Sequence, residues 1–272
     1  MERYNGHFYN WYDTETLNPL QPKYISTVDS GNLAGHLLVL RQGLLAVPQQ
    51  KVISIKLFEG LRDTFRVLTD TISENKIKMP EQLADDLDII CNSDLTTLNE
   101  IQKLYEDFSK KMNAMLEKLT DGTESETYRW KELLIAESEQ VNQHLLIFTP
   151  WFLLQSAPVA FKGIVSPDAN TTWNELLKKA NELQTKVNDK LKESNNSDEN
   201  NWLEIMRSAL TKTIQQTEEL ITGSEKLAQK CNALADMEWD FLYDKLSHLF
   251  SIGYNVQEHR IDASYYDLLA SE

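Results

Sequence analysis

RYNGHFYNWYDTETLNPLQPKYISTVDSGNLAGHLLVLRQG, residues 3–43, is the stretch whose composition ordinary packing explains least. Six aromatics, Tyr4, Phe8, Tyr9, Trp11, Tyr12 and Tyr24, alternate with Asn5, His7, Asn10, Asp13, Asp29 and Asn32, and Pro19 and Pro22 bar a helix between them. An aromatic face stacks on the C–H side of a pyranose, and Asp and Asn side chains bond its hydroxyls. On this reading Tyr9, Trp11 and Tyr24 are stacking residues and Asp13, Asp29 and Asn32 are hydroxyl partners in a substrate cleft. The plainer reading is a hairpin packed on a core, with aromatics present because strands favour them. Composition leaves both open.

A longer pattern bears on the choice. NGHFYNWYDTETLNPLQPKYISTVDSGNLAGHLLVLRQGLL, residues 5–45, together with FLYDKLSHLFSIGYNVQEHRIDASYYDLLASE, residues 241–272, resembles the glycoamylase-like region of cyclic β-1,2-glucan synthases. The resemblance implies an (α/α)6-type barrel that closes a linear glucan into a ring by transglycosylation. It implies β-1,2-glucan and the remaining barrel segments of a parent enzyme as partners, and no cofactor. It also places the chain as a cytoplasmic segment of a parent at the bacterial inner membrane. The two blocks are the opening of that barrel, so the chain is expected to be a fragment. The catalytic acid/base and nucleophile are expected beyond Glu272, and no catalytic residue is assigned here. Carboxylates available in the two blocks are Asp13, Asp29, Asp244, Glu258, Asp262, Asp267 and Glu272.

Charge excludes some partners. The chain carries 42 acidic against 27 basic residues, a net charge of −15, and lacks the clustered Lys and Arg that nucleic acid or an anionic membrane requires. Cys91 and Cys231 match no zinc or C-x-x-C spacing and read as reduced core residues. No phosphate loop, zinc helix or nucleophile elbow occurs, so neither metal nor cofactor is expected. The apolar run from His144 to Phe161 contains Pro150 and Pro158 and reads as a buried helix rather than a membrane span.

The ends differ from the middle. Residues 1–47 and 237–272 hold more than half of the aromatics and glycines in under a third of the chain. The stretch between is rich in Lys and Glu and keeps a spacing of three and four residues between apolar positions. The fold class that follows is mainly α, with a long-helix bundle (48–236) inserted between two end blocks, which the resemblance makes the opening segments of an (α/α)6-type barrel. The first block (1–47) and the truncated second block (237–272) carry short β-hairpins and pack on each other.

Within the first block, 7–13 and 24–28 read as extended. A helix from about Gly31 to Gln42 follows, capped by Ser26, Asp29 or Ser30. Gly43 reads as its stop, and Gly31 and Gly35 as sites of close packing. In the middle, Phe58, Leu61, Phe65 and Leu68 mark one helix, Pro80 opens another, and Tyr105, Phe108 and Met112 lie in a third. NNSDENN, residues 195–201, reads as a turn before a helix that starts at Trp202. Near the end, FLYD and LFSIGYNV read as a hairpin, and a helix is expected to open at Asp262 or Ser264. Leu37, Leu40 and Leu268 are expected to mediate self-association of the fragment.

Overall fold

The computed structural model describes residues 1–72, 81–92, 98–119, 125–148, 168 and 170–265. These residues are mainly helical. The helices are α1 (Thr27–Ala46), α2 (Ile55–Thr71), α3 (Glu81–Asn92), α4 (Leu98–Leu116), α5 (Glu126–Phe148), α6 (Trp173–Glu193) and α7 (Ser197–Ala235). The strands are β1 (Arg3–Tyr4), β2 (His7–Phe8), β3 (Tyr24–Ser26), β4 (Tyr243–Asp244), β5 (Leu249–Phe250), β6 (Gly253–Asn255) and β7 (Arg260–Ile261). Every one of these strands lies in the two end blocks. Pro80, the apolar run beyond Phe148, Leu268 and the expected last helix from residue 266 onward lie outside the described residues. At 262–265, where that helix is expected to open, the chain is not helical and Tyr265 bridges Ser251.

The chain divides into two compact units, Met1–Val47 with Thr222–Glu272, and Pro48–Ile221. In the larger unit, α2 packs on α3 and α5, and α4 packs on α3 and α5. The stripe Phe58, Leu61, Phe65 and Leu68 is at most 2% exposed. Each such side chain contributes roughly 1.5–3 kcal/mol by leaving water, which is why a 3–4 spacing becomes a buried face. Phe65 meets Phe108 edge-on with ring centroids 6.4 Å apart, and Phe58 lies 5.9 Å from Tyr105. The Tyr105 hydroxyl is bonded within this core to the carbonyl and Oγ of Ser138. Burial drives its pKa up to about 12, so it stays protonated and keeps those bonds. Cys91 and Cys231 are buried free thiols.

Helix α6 begins with a capping box, in which Thr172 and Glu175 satisfy each other's backbone N–H groups. Helix α7 has 39 residues and spans about 58 Å. Its start corrects the expected turn over 195–201. The Asn196 side chain accepts from the N–H groups of Asp198 and Glu199, so a sequence rich in turn residues supplies an N-cap and the helix begins at Ser197.

The smaller unit draws on both ends of the chain. Asn5 and Gly6, with φ of 47° and 88°, turn β1 into β2, the Asn-Gly signature of a two-residue hairpin. This hairpin seats on the residues after α7. The Glu238 N–H donates to the Asn5 carbonyl (3.0 Å), and a Cβ at Gly6 would meet the Asp236 carbonyl oxygen at 2.5 Å. His7 is fully buried, donating from Nε2 to the Glu238 carbonyl (2.6 Å) between Trp239 and Phe241. Tyr9, Ile25 and Leu242 form the centre of this core, with Tyr4, Phe241 and Tyr254 packed around it. The hairpin expected in the second block is present as β4–β5.

Helix α1 departs from its expected bounds at both ends. Ser26 is the cap, its Oγ accepting from Asp29 N (3.3 Å), so the helix starts at Thr27. It runs through Gly43 to Ala46 because Gly43 keeps ordinary helical backbone, and no positive φ occurs there. A Cβ built at Gly31 or Gly35 meets nothing within 4 Å, so neither glycine is a close-packing site. Thr27, Ser30 and Ala34 are buried, whereas Leu38, Val39, Leu40 and Leu45 are exposed.

Candidate functional site

One three-stranded sheet of the smaller unit, ordered β3-β6-β7 and antiparallel throughout, brings Tyr24, Asn255 and Arg260 side by side. Its register sets Tyr24 opposite Asn255 and Asn255 opposite Arg260, while Ile25, Tyr254 and Ile261 form the neighbouring row. Side chains alternate along a strand, so the two rows emerge on opposite faces. Of the second row, Ile25 and Tyr254 turn to the core. The Tyr24 row faces outward, and Asp262, two residues past Arg260, continues it.

Tyr24 crosses this face to reach Asp262, its hydroxyl donating to Oδ2 over 3.1 Å. Gly253 makes the crossing possible, since a Cβ there would overlap the Tyr24 hydroxyl and the Ile25 carbonyl oxygen. Between these groups lies a cavity of about 280 Å³ lined by Tyr24, Asn255, Arg260, Ile261, Asp262 and Ala263. Asn255 Oδ1 is engaged by the N–H groups of Gln257 and Glu258, and Arg260 Nη2 pairs with Glu258 at 3.0 Å.

Trp11 opens a closed surface loop. Its carbonyl accepts from Leu20 N (2.9 Å), and Tyr12 bridges Pro19 inside the loop. The indole is 53% exposed, beside Leu17 and Leu20 in sequence, both also exposed. Asn10 anchors the loop's start to β3, donating from its N–H to the Tyr24 carbonyl and accepting at Oδ1 from Ser26 N. Asp13 Oδ1 accepts from Thr16 N (2.7 Å), Thr16 Oγ1 (2.8 Å) and Glu15 N (3.1 Å). Those bonds, that from Thr16 N foremost, hold its carboxyl below the usual range. Asp13 thus ties the loop that displays Trp11.

The remaining expected residues separate. Tyr9 is 6% exposed, its ring covered in the core and its hydroxyl bonded to Glu2, so it has no open face for stacking. Asp29 and Asn32 lie on the exposed side of α1's first turns, and Asp29 is not the cap. Asp244 closes the β4–β5 turn through Leu246 N and Ser247 Oγ. Asp267 and Glu272 lie outside the described residues. Asn255 and Arg260 escaped the sequence reading, because their place beside Tyr24 depends on a strand pairing across more than 200 residues. Among the described residues no group of three or more His, Cys, Asp or Glu could hold a metal ion, and no helix is long and apolar enough to cross a membrane.

No family model matches the chain. Along its whole length the chain is 24% identical, over 273 aligned positions, to the cyclic β-(1,2)-glucan synthase NdvB of Rhizobium meliloti (strain 1021). It spans 8% of that protein's length, a distant similarity to one part of a far longer polypeptide.

Proposed function

We propose that the chain is a substrate-contacting part of a larger glucan-processing enzyme, one that cyclises β-1,2-glucan by transglycosylation. The observation that carries this reading is the similarity to a cyclic β-glucan synthase across the entire chain. Residues 1–47 and 237–272 are the opening segments of an (α/α)6-type barrel in the parent, and 48–236 is a helical insertion. The fragment performs no chemistry alone, and its catalytic carboxylates come from other segments. Trp11 is the stacking platform, Asp13 holds it in place, and Tyr24, Asp29 and Asn32 supply polar contacts. The exposed Leu38, Val39 and Leu40 of α1 suit contact with the parent's remaining barrel segments.

The exposed indole makes the reading testable by fluorescence. Titration of the 272-residue chain with β-1,2-linked gluco-oligosaccharides should change tryptophan emission saturably, and Trp11→Phe should remove that change. An unchanged spectrum at saturating sugar overturns the proposal. A second reading treats the helical unit as an interaction or spacer module. The aromatic core closing on itself around Phe58, Phe65, Tyr105 and Phe108 favours it. On that reading the chain binds no glucan at all.

A further inference from the structure

We infer that the outward face of the β3–β6–β7 sheet is a subsite for one sugar unit that reads a pair of adjacent hydroxyls, with Asp262 as acceptor and Arg260 and Asn255 as donors. The inference rests on the glucan-processing reading above and names the residues that would read its 1,2-linkage. Two residues apart on one strand face, Arg260 and Asp262 have Cα atoms about 7 Å apart. A cation with several N–H donors and a carboxylate at that spacing match a diol, in which each hydroxyl both donates and accepts.

The groups have capacity to spare. A carboxylate has about four lone-pair positions. Asp262 uses one for Tyr24 and one, at 3.4 Å, for Ser264 N. The Arg260–Glu258 pair is well exposed on both sides (73% and 55%), so it holds the guanidinium weakly, and Arg260 retains further N–H groups beyond Nη2. Asn255 spends its oxygen on the turn, and its amide N–H groups remain. The Tyr24 ring supplies an apolar wall, as carbohydrate sites require. At about 280 Å³ the cavity lies just under the ~300–1,000 Å³ of drug-sized sites, a fit for one pyranose rather than a chain of them. An anionic ligand is disfavoured by Asp262 and Glu258 in and beside the cavity and by the net charge of −15. A cation would face the Arg260 guanidinium in the same cavity, so the ligand that fits is a neutral polyol.

Linkage chemistry gives the consequence. An internal glucose of a 1,2-linked chain keeps its 3- and 4-hydroxyls, which are adjacent. A 1,3-linked one keeps the 2- and 4-hydroxyls, which are not. The test is calorimetric titration of the 272-residue chain with long β-1,2- and β-1,3-linked glucans of equal length, in which internal units far outnumber the non-reducing ends that carry adjacent hydroxyls in either series. The unmutated chain should bind the 1,2-linked series about tenfold or more tightly, the scale of one charge-assisted bond. Arg260→Ala, a surface change that spares the fold, should bring 1,2-linked binding down to the 1,3-linked level, and Asp262→Asn, whose amide oxygen can still accept from Tyr24, should weaken it likewise while lowering stability by less than Gly253→Ala does. Trp11→Phe should weaken both series alike. If Arg260→Ala keeps both affinity and preference, the subsite is wrong and the proposed function stands. If the unmutated chain binds neither series, the proposed function fails and takes the subsite with it.

Discussion

Gly253→Ala is the substitution that most directly probes how the sheet is built. The new Cβ would overlap the Tyr24 hydroxyl and ring and, on its other side, the Ile25 carbonyl oxygen. The ring can swing away, but the carbonyl belongs to β3 and is fixed by the pairing of Ser26 with Gly253. Relieving such an overlap costs roughly 1–3 kcal/mol. Displacing Tyr24 also breaks its bond to Asp262, a hydrogen bond to a charged group worth about 1.5–3 kcal/mol. The losses overlap, so a net destabilisation of about 2–4 kcal/mol is expected, read as a shift of the urea midpoint at unchanged slope. Gly43→Ala serves as the opposite control. Gly43 sits inside α1 with nothing within 4 Å of a built Cβ, so alanine should stabilise by roughly 0.5–1 kcal/mol. If Gly253→Ala changes stability by less than about 0.5 kcal/mol, Tyr24 does not cross the sheet over this glycine and the described outward face is wrong.

Two further outcomes follow from local chemistry. Ser26→Ala removes the α1 cap and should cost about 1 kcal/mol, whereas Asp29→Asn should stay within about 0.5 kcal/mol, both read from urea midpoints. Burial among Trp239 and Phe241 pushes the His7 pKa down, against the smaller opposing pull of the Glu238 carbonyl and carboxylate. Its stabilising contribution is complete above the unfolded imidazole value of about 6.5 and is lost as pH falls through the lower folded value. His144, shifted down in the same way beside the Val52 carbonyl, adds a loss of the same sign. His7→Gln should therefore shrink, without abolishing, the drop in urea midpoint between about pH 7.5 and about pH 5; an unchanged drop counts against a buried neutral His7.

Much of the helical architecture was legible because it is local. The 3–4 spacing of Phe58, Leu61, Phe65 and Leu68 is a statement about one helix face and needs no partner to be read. Ser26 was one of three cap candidates for the same reason. The Asn5-Gly6 turn carries an equally local signal, although the hairpin expected in this block joins 7–13 to 24–28 and the structure pairs β1 with β2 instead. Gly43 misled because a glycine near a helix end resembles a stop, while only the backbone angle decides. Tyr9 and Trp11 are alike in composition and two residues apart, yet one is core and one is surface. That difference arises from the pairing of β3 with β6, which joins residues more than 200 positions apart and leaves no local trace. The same pairing sets Tyr24 beside Asn255, to which the β6–β7 pairing adds Arg260, so only Tyr24, singled out for its aromatic neighbours, is readable as part of that row from the sequence.

The most direct test of the account is a crystal structure of the 272-residue chain with a bound β-1,2-linked gluco-oligosaccharide. The account predicts a glucose unit in the cavity between Tyr24 and Asp262, its adjacent hydroxyls bonded to Asp262 and Arg260, and a sugar ring stacked on the Trp11 indole. Sugar bound only on the helices of Pro48–Ile221, or an empty cavity and a bare indole at saturating oligosaccharide, would contradict it.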